Sequence, residues 1–203
     1  MKIIIVRHAE TTENAKTQDI GYNNEAMLTE RGVLQAKKLG EHLKGHTITH
    51  AYMSPQKRAV HTAEHILQHH PEVKKEQIEK LKEQQLGIYE DAPKHVYKEV
   101  KKNAKEPFHL FKPEKGESYK DVQERAAAFF HDVLVKHQHD DTVLIVSHGG
   151  TTGMLLLHIL EKEITEEQYK AHKPGNTAMT LLDISRDGKA SVKALNSLEH
   201  LDG

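Results

Sequence analysis

The chain has 203 residues, 36% hydrophobic and 29% charged, enough for one sizeable domain with a small insertion. Its 29 Lys and Arg against 30 Asp and Glu give no electrostatic case for a nucleic-acid partner or an anionic membrane. With no cysteine, disulfides and thiolate metal sites are excluded.

The first residues enter a strand, Lys2-Ile3-Ile4-Ile5-Val6, without a signal-peptide layout, and no apolar run approaches the ~20 residues of a membrane helix. A cytoplasmic protein is expected. The strand ends in Arg7-His8-Ala9-Glu10-Thr11, an Arg-His pair where open α/β sheets bind ligands. A polar loop follows, then Thr29 caps a helix to about residue 44, with Leu28, Leu34, Leu39 and Leu43 near helical spacing. Residues 47–53 read as a second strand. Ser54-Pro55 reads as N-cap and first residue of a helix with Val60, Ala63, Ile66 and Leu67 on its apolar face.

Residues 78–81 suit a short strand leading to Glu83, and residues 88–116 lack periodicity and suggest an inserted flap. Ser118 and Asp121 open a helix to about residue 137 in capping-box fashion. Residues 142–146 are the clearest buried strand, ending in Ser147-His148-Gly149-Gly150. Residues 177–184 and 190–195 form a hairpin across Arg186-Asp187-Gly188. The alternation of strands and helices predicts one α/β domain over residues 1–203, with a mostly parallel sheet in an α/β/α sandwich.

Four positions stand out chemically. Arg58 lies in the first turn of its helix, where the macrodipole disfavours a cation unless an anion is bound beside it. Two arginines suit a phosphoryl group gripped from two sides. His8 and His148 occupy equivalent strand ends. Glu83 could hand a proton to a leaving group. The 17 histidines are otherwise scattered and read as solvated surface, with no metal expected.

These stretches, taken together, resemble the histidine phosphatase superfamily, in its phosphoglycerate mutase-like branch. The matching motifs are Arg7-His8-Ala9-Glu10-Thr11 with Asn14, Leu28-Thr29-Glu30-Arg31-Gly32 through Gln35-Ala36, and Ser54-Pro55 with Arg58-Ala59 and Thr62-Ala63. Glu83 with Gly87, Gly116-Glu117-Ser118 and Ser147-His148-Gly149-Gly150 complete them in family order. The chain departs from the pattern at Ala9, where the family usually has Gly, in the loop from Gly21 to Leu28, and at Gln84-Gln85-Leu86.

The resemblance implies a three-layer phosphoglycerate mutase-like fold and a phosphohistidine mechanism without metal or cofactor. It makes His8 the nucleophile and Glu83 the proton donor, with Arg7, Arg58 and His148 around the phosphoryl oxygens. Thr11, Asn14, Gly21 and Gly149 are the implied substrate contacts, and the partner is a small phosphorylated metabolite. Two arginines should keep His8 neutral, and Glu83 facing a phosphate should have a raised pKa. Residues 84–147 form a compact interval between acid and second histidine, which favours a phosphatase over a 2,3-bisphosphoglycerate-dependent mutase. A non-catalytic phospho-ligand binding module is the remaining alternative. The dinucleotide fingerprint, P-loop and nucleophile elbow are all missing.

Overall fold

The computed structural model describes residues 1–15 and 26–202. Six strands form one sheet: β1 (Lys2–Arg7), β2 (His50–Met53), β3 (Lys74–Gln77), β4 (Thr142–Ser147), β5 (Met179–Ile184) and β6 (Ala190–Ser197), in the order β3-β2-β4-β1-β5-β6. The first four strands in that order are mutually parallel, and β5 and β6 run antiparallel at the other edge. β1 and β4 are neighbours in register from Lys2↔Thr142 to Arg7↔Ser147. Both are apolar on both faces, and Ile3, Ile4, Val143, Leu144 and Ile145 are fully buried, as central parallel strands must be.

Among the described residues there are seven α-helices: α1 (Thr12–Ala15), α2 (Glu30–Leu43), α3 (Lys57–Leu67), α4 (Lys94–Lys102), α5 (Tyr119–Lys136), α6 (Gly149–Ile159) and α7 (Glu166–His172). Leu39 and Leu43 of α2 and Ala59, Ala63 and Ile66 of α3 pack on one sheet face, against Ile4, Val6, Leu144 and Val146. Phe129, Phe130 and Val133 of α5 and Leu155 and Leu156 of α6 cover the other, against Ile3, Ile5, Val143 and Ile145. The result is the three-layer α/β/α sandwich. No described helix is long and apolar enough to cross a membrane.

Several boundaries differ from the sequence reading. The second strand begins at His50, because Ile48 and Thr49 bond outside the ladder. Residues 78–81 are not a strand. Glu79–Leu81 is a 3-10 turn, and the edge strand is the preceding β3, whose four residues are exposed and carry no apolar signal. Helix α3 starts at Lys57, with Gln56 as the extended residue before it, rather than at Ser54-Pro55. Leu34 is 56% exposed and does not join the face of α2 that carries Leu39 and Leu43. The 88–116 interval contains α4, whose Lys94 Nζ donates to the Glu13 carbonyl at 3.1 Å.

Candidate active site

The parallel register sets the site. Because Arg7 stands opposite Ser147, the residues one step beyond, His8 and His148, leave adjacent strands at the same level. Their ring centroids are 5.1 Å apart, and the His8 amide donates to the Ser147 carbonyl at 2.9 Å. Both imidazoles are buried.

His8 Nδ1 lies 2.8 Å from the Ala9 carbonyl oxygen. A carbonyl only accepts, so Nδ1 carries the proton and, in a neutral ring, Nε2 keeps its lone pair. Burial pushes the His8 pKa well below its ordinary value, and His148, Arg7 and Arg58 push it further. The ring is therefore held neutral, with burial rather than the arginines as the largest cause. His148 is likewise held neutral, by burial first and then by Arg58 and Arg7. Its Nδ1 accepts from Arg58 Nε at 3.2 Å, so Nε2 carries the proton and donates to Ser54 Oγ at 2.8 Å. Ser54 thus serves the second histidine and, through the Gln56 amide at 3.3 Å, the turn that leads into α3.

Arg7 is anchored through Nη1 to the Pro174 carbonyl at 2.8 Å, while its buried Nε has no hydrogen-bond partner among the described residues. A buried charged donor without an acceptor costs free energy unless an anion meets it. Burial lowers the pKa of both Arg7 and Arg58, with Glu83 opposing in each case. The cationic pair and the carboxylate thus share one pocket.

Glu83 departs from expectation. Burial raises its pKa, but the Gly150 amide, the Lys173 charge, the Gln84 amide and Arg58 outweigh that, and the net shift is downward. The carboxylate accepts from Gly150 N at 2.9 Å, Thr151 N at 3.0 Å and Gln84 N at 3.0 Å. Gly150 and Thr151 are in the first turn of α6, whose amide dipoles favour an anion. The sequence reading missed this because it could not see that Glu83 caps a helix 67 residues away.

The family profile described as the histidine phosphatase superfamily, branch 1, matches residues 3–197. The chain belongs to the histidine phosphatase superfamily. It is similar to a probable phosphatase of Schizosaccharomyces pombe, 27% identical with 100% of this chain and 96% of the relative covered. It is also similar to a phosphoglycerate mutase of the same yeast, 28% identical over 95% of this chain and 94% of the relative. Among solved structures, Bacillus stearothermophilus YhfR superposes with a TM-score of 0.86 at 26% identity, covering 98% of each chain. The Entamoeba histolytica phosphoserine phosphatase in complex with 3-phosphoglyceric acid gives 0.80 at 28% identity, again covering 98% of each.

Within this histidine phosphatase fold, the remaining expected contacts divide. Gly149 lies at the centre: a Cβ there would be 3.1 Å from Lys173 Cε and 3.3 Å from Arg7 Nε, so glycine leaves room between two cationic side chains. Asn14 Oδ1 accepts from Asn176 Nδ2 at 3.0 Å, and the same amide nitrogen donates to the His8 carbonyl at 3.0 Å. Thr11 instead turns its hydroxyl oxygen to the Asn14 amide at 3.3 Å, at the start of α1, and is buried. Gly21 falls outside the described residues.

The motif at residues 28–36 holds the loop after His8. Thr29 caps α2 through Gly32 N and donates its hydroxyl to Glu10 Oε1 at 2.9 Å, while Gln35 Oε1 accepts from Glu10 N at 3.0 Å. Thr62 accepts from the Ala9 amide at 3.0 Å and fastens the other side of that loop.

Three residues near the site gave no readable sequence signal. Arg125 on α5 forks onto Glu117 (Nε to Oε1, 2.7 Å; Nη2 to Oε2, 3.0 Å) and reaches the Glu83 carbonyl at 3.3 Å. Lys173, just beyond α7, is an exposed residue whose side chain reaches the Gly149 position beside Arg7. Its pKa is lowered, by partial desolvation first, with Glu83 opposing and Arg7 and Lys98 adding to the shift. Asn176 is the third. All three are fixed by tertiary contacts, and none lies in a periodic pattern.

Proposed function

We propose that this protein hydrolyses phosphomonoesters without a metal ion, through a phosphohistidine on His8. The observation that carries the reading is the neutral His8, with its proton fixed on Nδ1 toward Ala9, beside Arg7 and Arg58. Only an unprotonated imidazole nitrogen can attack phosphorus, and burial keeps one available. In the first step an Nε2–P bond forms as the ester P–O bond breaks, and the leaving oxygen takes a proton from Glu83. In the second, water attacks phosphorus, gives a proton to Glu83, and the N–P bond breaks to release inorganic phosphate.

Acid–base help contributes only about 10²–10⁴ of an acceleration that can approach ~10²¹ for this reaction class. The larger share falls to positioning and to the positive field of Arg7, Arg58 and the His148 region. Glu83 is ionised in the free site, so its proton must arrive with the substrate. The negative charge of a bound phosphate also pushes the carboxyl pKa upward.

The substrate is a small phosphorylated metabolite, and the cations beyond the phosphate pocket favour one with a second acidic group. Lys101 has its pKa lowered to about 8, by burial first, with Glu166 opposing and Lys173 adding to the shift. It sits 3.8 Å above the Tyr119 ring and 4.2 Å above Phe108. An added carboxylate would be attracted to Lys101 and Lys173 together. The Entamoeba relative is solved with phosphoserine and with 3-phosphoglyceric acid, both phosphate–carboxylate compounds.

The test is phosphate release in EDTA from a panel with and without a second acidic group, including 3-phosphoglycerate and phosphoserine, with His8→Ala alongside. EDTA-resistant turnover that disappears in the variant is expected. Phosphoryl exchange with 2,3-bisphosphoglycerate but no release from any ester would replace hydrolysis by the mutase reading.

A further inference from the structure

At the opposite end of the sheet, three side chains from three separate elements converge. His50 opens β2, His137 follows the last residue of α5, and Asp141 precedes β4. Each offers one ligand atom, and these atoms lie within 4.8 Å of one another. His137 Nδ1 is 3.2 Å from Asp141 Oδ2, close to the ~3.3 Å that two donors adopt on a shared tetrahedral metal with bonds near 2.0–2.1 Å. His50 Nδ1 is 3.9 Å from Asp141 Oδ1 and 3.1 Å from Thr49 Oγ1, a contact that metal ligation would replace.

The surroundings carry the outer partners that metal-binding histidine and carboxylate need. Tyr52 Oη lies 2.8 Å from His137 Nε2, so with Nδ1 on a metal the Nε2 proton has an acceptor. Asp141 accepts from Thr49 Oγ1 at 2.9 Å and from Gln138 N at 2.8 Å, which fixes its plane. The His50 and His137 rings are in edge contact, with centroids 4.3 Å apart. The His137 side chain is 1% exposed, but His50 and Asp141 are 24% and 17% exposed, leaving an entry and room for a water ligand. Lys74 and Lys136 are the cations that face His50, and Lys136 is already paired with Glu76 at 2.8 Å.

We propose that His50, His137 and Asp141 form a zinc-class divalent metal site, remote from the phosphoryl chemistry. Two imidazoles and one carboxylate suit zinc and exclude magnesium and calcium, which take oxygen ligands. Ligation would tie the end of α5 to β2 and β4, so the site would act on stability and not on turnover.

The experiment is zinc titration of the chelator-stripped full chain by calorimetry, with a thermal melt and the visible spectrum of the cobalt form. One equivalent of zinc should bind, raise the melting midpoint and give an intense tetrahedral cobalt spectrum, while magnesium gives no heat. His50→Ala should weaken zinc binding by at least about 100-fold, and Tyr52→Phe, which alters only an outer partner, by roughly 10–100-fold. His42→Ala, at a surface histidine away from the site, should leave zinc affinity unchanged. Equal zinc affinity in wild type and His50→Ala, or no stoichiometric zinc binding, would overturn the site. Asp141→Asn gives an independent second test should His50→Ala fold poorly.

Discussion

Glu83 accepts hydrogen bonds from the Gly150, Thr151 and Gln84 amides, and its pKa lies below the ordinary carboxylate value. At neutral pH it is therefore ionised before substrate binds, and on the proposed mechanism its proton must come from the substrate. A monoester phosphate with a second pKa near 6 brings one, so kcat/KM for alkyl phosphates should fall as pH rises through about 6. A pH profile flat from 5 to 8 would show that Glu83 holds its own proton. Glu83→Gln should cut alkyl phosphate turnover by about 10²–10⁴, yet barely slow p-nitrophenyl phosphate, whose leaving group needs little protonation. Equal losses on both would remove Glu83 from the acid role. Gly150→Ala reaches the same group sterically, since its Cβ would sit 2.5 Å from Glu83 Oε1. Alanine suits a helix better than glycine, so α6 should persist while displacement of the carboxylate lowers kcat by up to about 10²-fold. Retained kcat with an unshifted melt would mean that Glu83 is not held where its proton is used.

At the scale of elements, neighbouring residues at the start of α5 do different jobs. Ser118 and Asp121 form a reciprocal cap: Ser118 Oγ accepts from Asp121 N at 3.1 Å, and Asp121 Oδ2 accepts from Ser118 N at 2.8 Å. Ser118→Ala should cost about 1 kcal/mol, lowering the melting midpoint by roughly 2–4 °C. Glu117 instead braces the acid segment, taking the Arg125 fork and the Gln85 amide at 3.0 Å. Glu117→Ala should lower kcat more than it raises KM, and the reverse split would place Glu117 in substrate binding. The cap was readable from the sequence, because Ser and Asp three apart satisfy the first-turn amides by local chemistry. The brace was not, because Glu117 meets Arg125 and the Glu83 segment only through the packing of α5. The same division explains the strands. β1 and β4 announce themselves by apolar runs, whereas β3, Lys74–Gln77, is an exposed edge held by its pairing with β2. His8, Arg58 and His148 were legible because strand ends and helix starts have fixed places in this topology. Lys173 and Asn176 come from a connection with no pattern of its own.

For the whole molecule, the buried and half-buried histidines link stability to pH. Burial is the largest cause lowering the pKa of His8, His148, His46, His65 and His70, and it brings His200 down to about 4. Each titrates near 6.5 once unfolded, so below that pH the unfolded chain binds more protons than the folded one. Stability therefore rises with pH in this window and is lost as pH falls from about 6.5 toward 4. Depressed carboxylates such as Asp121 and Glu83 extend the loss below their unfolded values near 4. His200 is the member to isolate, because it lies outside the active site and meets Thr177 Oγ1 at 3.0 Å. His42 and Lys38 face it and lower its pKa further, and Asp202 opposes them. The Thr177 hydroxyl donates to the Asn176 carbonyl at 2.8 Å, so His200 Nε2 is the donor to Thr177 Oγ1, and protonating the ring costs its desolvation and not this contact. His200→Gln keeps a polar group there but cannot titrate. Its melting midpoint should fall less steeply than that of the wild type between pH 6.5 and 4. Parallel slopes would assign the acid sensitivity to His8 and His148 and leave His200 without a part in it.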